Sequence, residues 1–229
     1  NPNGRLAVGY LDWNLSISAV DLNLNAASTL GGYSTWKFHR FTALSTFKSK
    51  KIYGVRTFQR LIAGKIWSND YIPGQEGYNI EGNSSNDLLR KNYLVDQFYG
   101  SFGLFNHYHM PGEGNIRGFV NSGQRGADAM ISSSTELVAD KGLFEKKINI
   151  SFSVFADAGI FWDDATYHTR DANKTFDRYL GNFGFGTRLK TKLFEKELFL
   201  RFDIPFFIYD DGSSEINFYN WIFSFQRSI

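Results

Sequence analysis

This sequence of 229 residues lacks several features that commonly define a fold. Because it contains no cysteine, no disulfide framework holds the chain together. No stretch reaches the roughly 18 consecutive apolar residues of a transmembrane helix. Basic and acidic residues nearly balance, at 25 and 23, so we expect no nucleic-acid partner.

Aromatic side chains and glycine are what the sequence has in quantity. Aromatic residues make up 17% of the chain, and glycine occurs 22 times against only 4 prolines. The hydrophobic fraction is 42%, yet the mean hydropathy is −0.32, so polar residues separate the apolar ones along most of the chain. Such a composition fits either a soluble β-sandwich or a membrane β-barrel.

Alternation of apolar and polar residues with a period of two predicts β-strands. In the first part of the chain we expect strands at residues 5–11, 15–26, 34–47 and 52–66. They are separated by predicted turns at residues 12–14, Gly31-Gly32 and residues 48–51. In the second part we expect strands at residues 131–138, 148–161, 183–193, 198–208 and 218–229.

One face of these later strands is nearly free of charge, whereas the other carries glycine, polar and charged residues. In residues 148–161, for example, Phe152 and Val154 share one face, and Ser153 and Asp157 share the other. Strands of about 10–14 residues are close to the length that a tilted strand needs to cross a bilayer. We therefore predict an all-β fold, a transmembrane antiparallel β-barrel, rather than a sandwich.

The connections differ in length in the way that membrane barrels require. Short connections are expected at residues 48–51, 139–147 and 194–196, and longer ones at 162–179 and 209–216. Barrels in outer membranes have short periplasmic turns and longer external loops. Strict alternation then makes residues 67–129 a long extracellular loop. Within it, residues 93–107 fit a strand or a short amphipathic element equally well.

We expect residues 1–229 to form one barrel domain, the C-terminal part of a larger protein. The first residues, Asn1 to Gly4, have neither the basic nor the apolar part of a signal peptide. No serine-histidine-acid set and no paired catalytic carboxylates stand out. We therefore expect no enzymatic activity and no cofactor in this region.

A set of ordered motifs resembles the BamA-like superfamily of outer-membrane barrels. Ile116-Arg117-Gly118-Phe119 is similar to the family's Val-Arg-Gly-Phe/Tyr loop signature, and residues 61–73 resemble the strand end and Ile/Leu-Pro before it. Thr135-Glu136-Leu137 and Phe155-Ala156-Asp157-Ala158-Gly159 resemble the two strands after it. The order of these motifs, with five predicted strands after the loop, is what makes the resemblance specific.

The sequence departs from the family pattern at two places. Residues 79–110 form an insertion in the loop, and the last strand has Phe223 and Phe225 in its alternating pattern but ends on Ile229 instead of an aromatic residue. The resemblance nevertheless implies a location in the outer membrane of a Gram-negative bacterium. The implied partners are outer-membrane lipid and other barrel-assembly or secretion subunits.

Strand phase gives the loop arginine a predicted place. Glu136 and Asp157 lie on the polar faces of their strands, so both should point into the lumen, because a carboxylate facing lipid is costly. A planar guanidinium can donate hydrogen bonds to two carboxylates at once. We predict that Arg117 is folded inward and pairs with both acids, with Gly112, Gly114 and Gly118 permitting the tight backbone.

Other candidate sites have simpler explanations. His107 and His109 share one face of an extended segment without a third ligand, and the Asp-rich stretches 163–164 and 210–212 read as turns, so we expect no metal site. The spacing of Gly112, Gly114 and Gly118 does not fit a nucleotide-binding loop. Four basic side chains are expected in the lumen, where they could attract anions or simply balance the charge of acidic side chains: Arg188, Lys190, Lys192 and Arg201.

Three functions remain open from the sequence. The first is a BamA-like barrel that inserts or translocates other proteins at the outer membrane. The second is a membrane anchor for a fused peptidase, phosphatase or lipase domain. The third is a passive pore, against which the long loop with Arg117 argues.

Overall fold

The alternating segments of the chain assemble into one antiparallel β-sheet of eleven strands. The structure, a computed structural model, describes residues 4–17, 20–33, 36–68, 77–78, 94–99, 114, 116–119, 127–144, 148–163, 176–193, 196–216, 218 and 221–227. Across these ranges no residue is helical, and no helix long and apolar enough to cross a membrane is found there. The predicted all-β class with long antiparallel strands is confirmed.

The strands follow one another along the chain almost as they lie in the sheet. They are β1 (Gly4–Ile17), β2 (Val20–Tyr33), β3 (Trp36–Ser49), β4 (Val55–Ser68), β5 (Leu94–Tyr99), β6 (Ala129–Phe144), β7 (Ile148–Asp163), β8 (Phe176–Leu193), β9 (Lys196–Asp210), β10 (Ser213–Ile216) and β11 (Ile222–Arg227). The order in the sheet is β1-β2-β3-β4-β6-β7-β8-β9-β11-β5, and β10 pairs with β9.

The sheet has two chemically different faces. The loop-covered face, on which residues 116–119 lie, carries the buried polar side chains of β6 to β9, among them Glu136 and Asp157. The opposite face, called the open face here, carries exposed apolar side chains such as Ile131, Phe152 and Phe183. The phases predicted for residues 148–161 and 183–193 agree with this division wherever the side chains are described.

The first hairpin was predicted wrongly. Residues 12–14 and Gly31-Gly32 were expected as turns, but they lie inside β1 and β2, and the strand predicted at residues 15–26 spans the end of β1 and the first half of β2. Ile17 pairs with Val20, so only residues 18–19 separate the two strands. The signal was available, because apolar residues change there from odd to even numbers.

Two predicted turns are displaced because charged residues near a strand end were taken for the turn itself. β3 continues through Lys48 to Ser49, and the chain reverses over residues 50–54, where Tyr53 and Gly54 have φ of 49° and 84°. Likewise β6 continues to Phe144 instead of ending near residue 139. Charge alone does not end a strand when the side chain lies on a polar face.

A β-bulge interrupts the register between β8 and β9. Gly184 pairs with Pro205 and Phe183 with Phe207, which leaves Phe206 as the extra residue. Proline is tolerated at a bulge because the ladder needs no N–H there. Pro205 keeps the predicted face of Asp203, but the bulge reverses the phase after Phe206, so that Ile208 is buried while Phe207 is exposed.

The last strands also differ from expectation. Within the predicted strand at residues 218–229, the described residues 222–227 form β11, and residues 209–216 form a tight turn at Asp211-Gly212 from which β10 returns along β9. Of residues 93–107, those of β5 form a strand that hydrogen-bonds to β11 from Leu94↔Arg227 to Tyr99↔Ile222. The long connection between β4 and β6 thus contributes a strand to the sheet.

Candidate functional site

The guanidinium of Arg117 is buried against the loop-covered face, where Asp157 of β7 receives it. Arg117 Nε donates to Asp157 Oδ2 over 2.7 Å, and Nη2 donates to Oδ1 over 2.6 Å. The backbone N–H of Arg117 also donates to Oδ2, over 3.2 Å. Arg117 is 8% exposed and Asp157 3% exposed. This fork-to-fork geometry is the strong form of an ion pair between arginine and a carboxylate.

Asp203 of β9 is a second carboxylate at this site, and the sequence interpretation did not single it out. Arg117 Nη1 donates to Asp203 Oδ2 over 3.3 Å, and the same oxygen accepts from Arg201 Nε over 2.6 Å. The alternation of residues 198–208 had placed Asp203 on the polar face, so its phase was visible. Its position along the strand direction relative to Asp157 could not be predicted, because that position depends on the register of β7, β8 and β9.

Glu136 of β6 touches Arg117 but mainly serves two other arginines. Its Oε2 is 3.9 Å from Arg117 Nη1, an ion-pair distance that is too long for a hydrogen bond. The same oxygen accepts from Arg201 Nη2 over 3.1 Å and forms an ion pair with Arg188 Nη2. The predicted partner set of Arg117 therefore needs adjustment: Asp157 binds it most closely, Asp203 is next, and Glu136 contacts it at the edge.

The cluster is electrically balanced within itself. Three guanidiniums face three carboxylates: Arg117, Arg188 and Arg201 against Glu136, Asp157 and Asp203. Burial by itself lowers the pKa of Arg117, but the neighbouring carboxylates outweigh it and raise that pKa above its ordinary value. Arg117 thus stays charged, and Arg188 and Arg201 balance acids, one of the two roles left open by the sequence.

Neutral side chains hold the ion pair in place. The Cζ of Arg117 lies 3.4 Å from the centroid of the Phe155 ring, a cation–π contact that supports the guanidinium from below. Asn182 Nδ2 donates to the Arg117 carbonyl over 2.7 Å and to Asp157 Oδ2 over 3.0 Å. Ser134 Oγ donates to Asp157 Oδ1 over 2.7 Å. Four strands, β6 to β9, therefore contribute to the seat of one loop side chain.

The residues around Arg117 fit closely against the sheet. Gly118 has a φ of 87°, and a Cβ there would lie 2.8 Å from Pro205 Cγ, so only glycine suits this position. Ile116 and Phe119 are buried, and a Cβ on Gly159 would lie 3.2 Å from Ile116 Cδ1. The small residue at 159 thus leaves room for the loop tip.

The remaining predicted site residues have various positions. Gly114 is buried, and its carbonyl accepts a hydrogen bond from Ser132 Oγ. Gly112 lies outside the described residues, as do His107, His109 and Ile229. Phe223 and Phe225 lie in β11, where they pair with Phe202 and Leu200 of β9. No group of three or more potential metal ligands occurs in the described ranges, and Asp210 of the Asp-rich turn accepts from Arg178 Nε over 2.7 Å.

Comparison with known proteins adds no relative. No family model, no curated protein and no solved structure matches this chain. The site geometry and the motifs within the sequence are therefore what indicates a function.

Double-mutant cycles should rank the three carboxylates as the distances do. We expect a coupling free energy of roughly 2–3 kcal/mol between Arg117→Met and Asp157→Asn, but below about 1 kcal/mol between Arg117→Met and Glu136→Gln. The free energy of unfolding, measured by urea titration for each single and double variant, provides the cycle. Equal coupling to Asp157 and Glu136 would contradict the ranking.

Proposed function

We propose that this chain forms a transmembrane β-barrel of the BamA-like superfamily in the outer membrane of a Gram-negative bacterium. There it takes part in the insertion or translocation of other proteins. The observation that carries the proposal is the seating of Arg117, from the connection between β4 and β6, against Asp157 of β7 and Asp203 of β9. In this proposal the loop-covered face is the lumen and the connection is an inward-folded plug.

The open face supports a position in lipid. Its described side chains on β6 to β9 carry no charge, and several are large and exposed: Ile131, Leu137, Phe152, Val154, Tyr179, Phe183 and Phe185. A soluble protein rarely exposes so continuous an apolar surface. Lipid requires in turn that the sheet close on itself, because unpaired backbone groups in a bilayer are costly.

The distribution of connections supports an orientation. Neighbouring strands are antiparallel, so residues 18–19, 50–54, 145–147 and 194–195 connect strand ends at one edge of the sheet. The strand ends that residues 34–35, 69–128 and 164–175 connect lie at the opposite edge, as does the turn at Asp211-Gly212, so both long connections are on that side. Outer-membrane barrels keep short turns in the periplasm, so we assign the connection with Arg117 to the external side.

The lateral, hydrogen-bonding edge of β11 favours insertion of other proteins over the membrane anchor and the passive pore. That edge is paired with β5, a strand from the plug connection, over six residues in antiparallel register. A sheet edge that accepts a strand through backbone hydrogen bonds has the chemistry needed to receive a strand of another protein. An anchor for a fused enzyme would not need such an edge, and a passive pore would not need a pinned plug.

Reconstitution of the protein into liposomes tests this function. We expect a urea-unfolded outer-membrane barrel protein, added as client, to become protease-resistant at least about threefold faster than in empty liposomes, since a receptive edge lowers the cost of starting a sheet. The Arg178→Met variant removes only the ion pair between Arg178 and Asp210. It serves as matched control and should insert clients as fast as the unchanged protein.

Conductance in planar bilayers separates the alternatives. The plugged barrel should remain closed, whereas steady open-channel currents would support a pore instead. A closed protein with no effect on the client would contradict insertion and favour the membrane anchor.

A further inference from the structure

Tyr78, a second residue of the long connection between β4 and β6, is buried against β3 and β4, strands that do not contact the Arg117 side chain. Its side chain is 0% exposed. The hydroxyl donates to the carbonyl of Phe41 over 2.6 Å, and Thr42 Oγ1 lies 2.9 Å from the same oxygen. A buried tyrosine whose hydroxyl reaches a partner contributes both apolar contact and a fixed direction.

The sheet has a hollow of matching shape for this ring. Gly64 of β4 lies beneath it, and a Cβ at that position would overlap the Cζ, Oη and Cε1 atoms of Tyr78. Arg40 of β3 covers the ring, with its Cζ 4.4 Å from the centroid. Ile62 and Ile66 belong to the same buried apolar cluster as Tyr78, and this cluster extends to Ile116 and Phe119 beside Arg117. Glycine in a strand often marks the close approach of another group, and here that group is Tyr78.

The other end of the connection meets Tyr78 directly. Tyr78 and Ala127 form an antiparallel bridge with two backbone hydrogen bonds of 2.8 Å each. The next residue, Asp128, accepts from the N–H of Ile66 over 2.8 Å and donates its own N–H to Trp162 over 2.9 Å. Both ends of the connection are thereby joined to each other, to β4 and to β7.

We propose that Tyr78, in the hollow above Gly64, is a positioning residue that anchors the base of the connection separately from the Arg117 site. The two anchors use different strands: β3 and β4 for Tyr78, and β7 and β9 for Arg117. The base anchor fixes where the connection leaves the sheet, and the Arg117 ion pair holds the tip by contacts of its own. The inference does not depend on membrane location or on the proposed function.

Reporter cysteines can measure the two anchors one at a time, because the chain has no cysteine of its own. A cysteine replacing Ala127 reports on the base, and one replacing Ile116 reports on the tip. The rate of maleimide labelling measures how often each position opens. Gly64→Ala displaces the Tyr78 ring, and Arg117→Met removes the tip ion pair; Gly181→Ala, where a Cβ meets only an ordinary 3.5 Å contact, is the control.

We expect Gly64→Ala to raise labelling at position 127 by about tenfold or more and at position 116 by less than about threefold. Arg117→Met should give the reverse pattern. Tyr78→Phe keeps the ring and loses only the hydroxyl, so labelling at 127 should rise by about two- to tenfold. This milder variant also keeps the test decisive if Gly64→Ala does not fold.

Two results would overturn the inference. One is unchanged labelling at position 127 in both Gly64→Ala and Tyr78→Phe. The other is an equal rise at both reporter positions in every variant, which would mean that the connection opens as one unit. Circular dichroism of each variant verifies that the sheet itself is intact.

Discussion

The Arg117→Met variant is expected to lose roughly 3–5 kcal/mol in free energy of unfolding, because it leaves buried carboxylates without their cation. Asp157 loses the two hydrogen bonds that the Arg117 side chain donates, while the backbone N–H at position 117 remains, and the balanced cluster acquires a net negative charge. Urea titration in detergent micelles, followed by tryptophan fluorescence, measures the change. The five tryptophans of the chain provide the signal.

The matched control is Arg178→Met. Arg178 also forms a two-pronged pair with an aspartate, Asp210, but that carboxylate is 35% exposed and remains hydrated when the arginine is removed. We expect a loss of about 1 kcal/mol or less. The double variant Arg117→Met/Asp157→Leu should be more stable than Arg117→Met alone, since it removes the stranded charge. Equal losses at Arg117 and Arg178 would show that the Arg117 cluster is not desolvated.

Gly184→Ala is expected to have the second largest effect, a loss of about 1–3 kcal/mol from overpacking. A Cβ on Gly184 would overlap the Ile204 carbonyl and the ring of Phe155. The carbonyl belongs to the backbone beside the bulge, so it yields only if β8 and β9 move apart. The ring supports the guanidinium of Arg117, so its displacement also disturbs the ion pair.

Gly181→Ala on the same strand provides the comparison. Its Cβ would come no closer than 3.5 Å to another atom, an ordinary contact, so stability should stay the same or rise by up to about 1 kcal/mol. Urea titrations of both variants under one set of conditions give the difference. If Gly184→Ala is as stable as Gly181→Ala, the tight packing of β8 on Phe155 is not a constraint on the fold.

Arg117 and Tyr78 hold the long connection between β4 and β6 against the sheet at two places. Arg117 is held by charge and hydrogen bonds, whereas the ring of Tyr78 occupies the space that Gly64 leaves free and its hydroxyl donates to Phe41. A charged anchor costs desolvation and is strong only when every partner is present. The anchor at Tyr78 depends instead on one small residue of β4, Gly64, against which the ring lies.

The sequence by itself determined the strand class and most of the faces. A period of two makes side chains alternate across the sheet, so the phases of β7 and β8 could be read directly from residues such as Phe152 and Asp157. The same phase put Asp157 and Glu136 on the face that Arg117 reaches. Local alternation survives without knowledge of neighbours, which is why these inferences needed no tertiary information.

Only the tertiary structure decided which groups meet. Asp157 pairs with Asn182 of β8, and Asp203 pairs with Gly186 of β8. The position of Asp203 beside Arg117 therefore follows from two registers, that of β7 with β8 and that of β8 with β9. Tyr78, in the long connection, lies against Gly64 of β4. Register and long-range contact depend on the packing of the whole sheet, and no local pattern encodes them. The seat of Arg117 was thus foreseeable in kind, while its full set of partners was a property of the folded sheet.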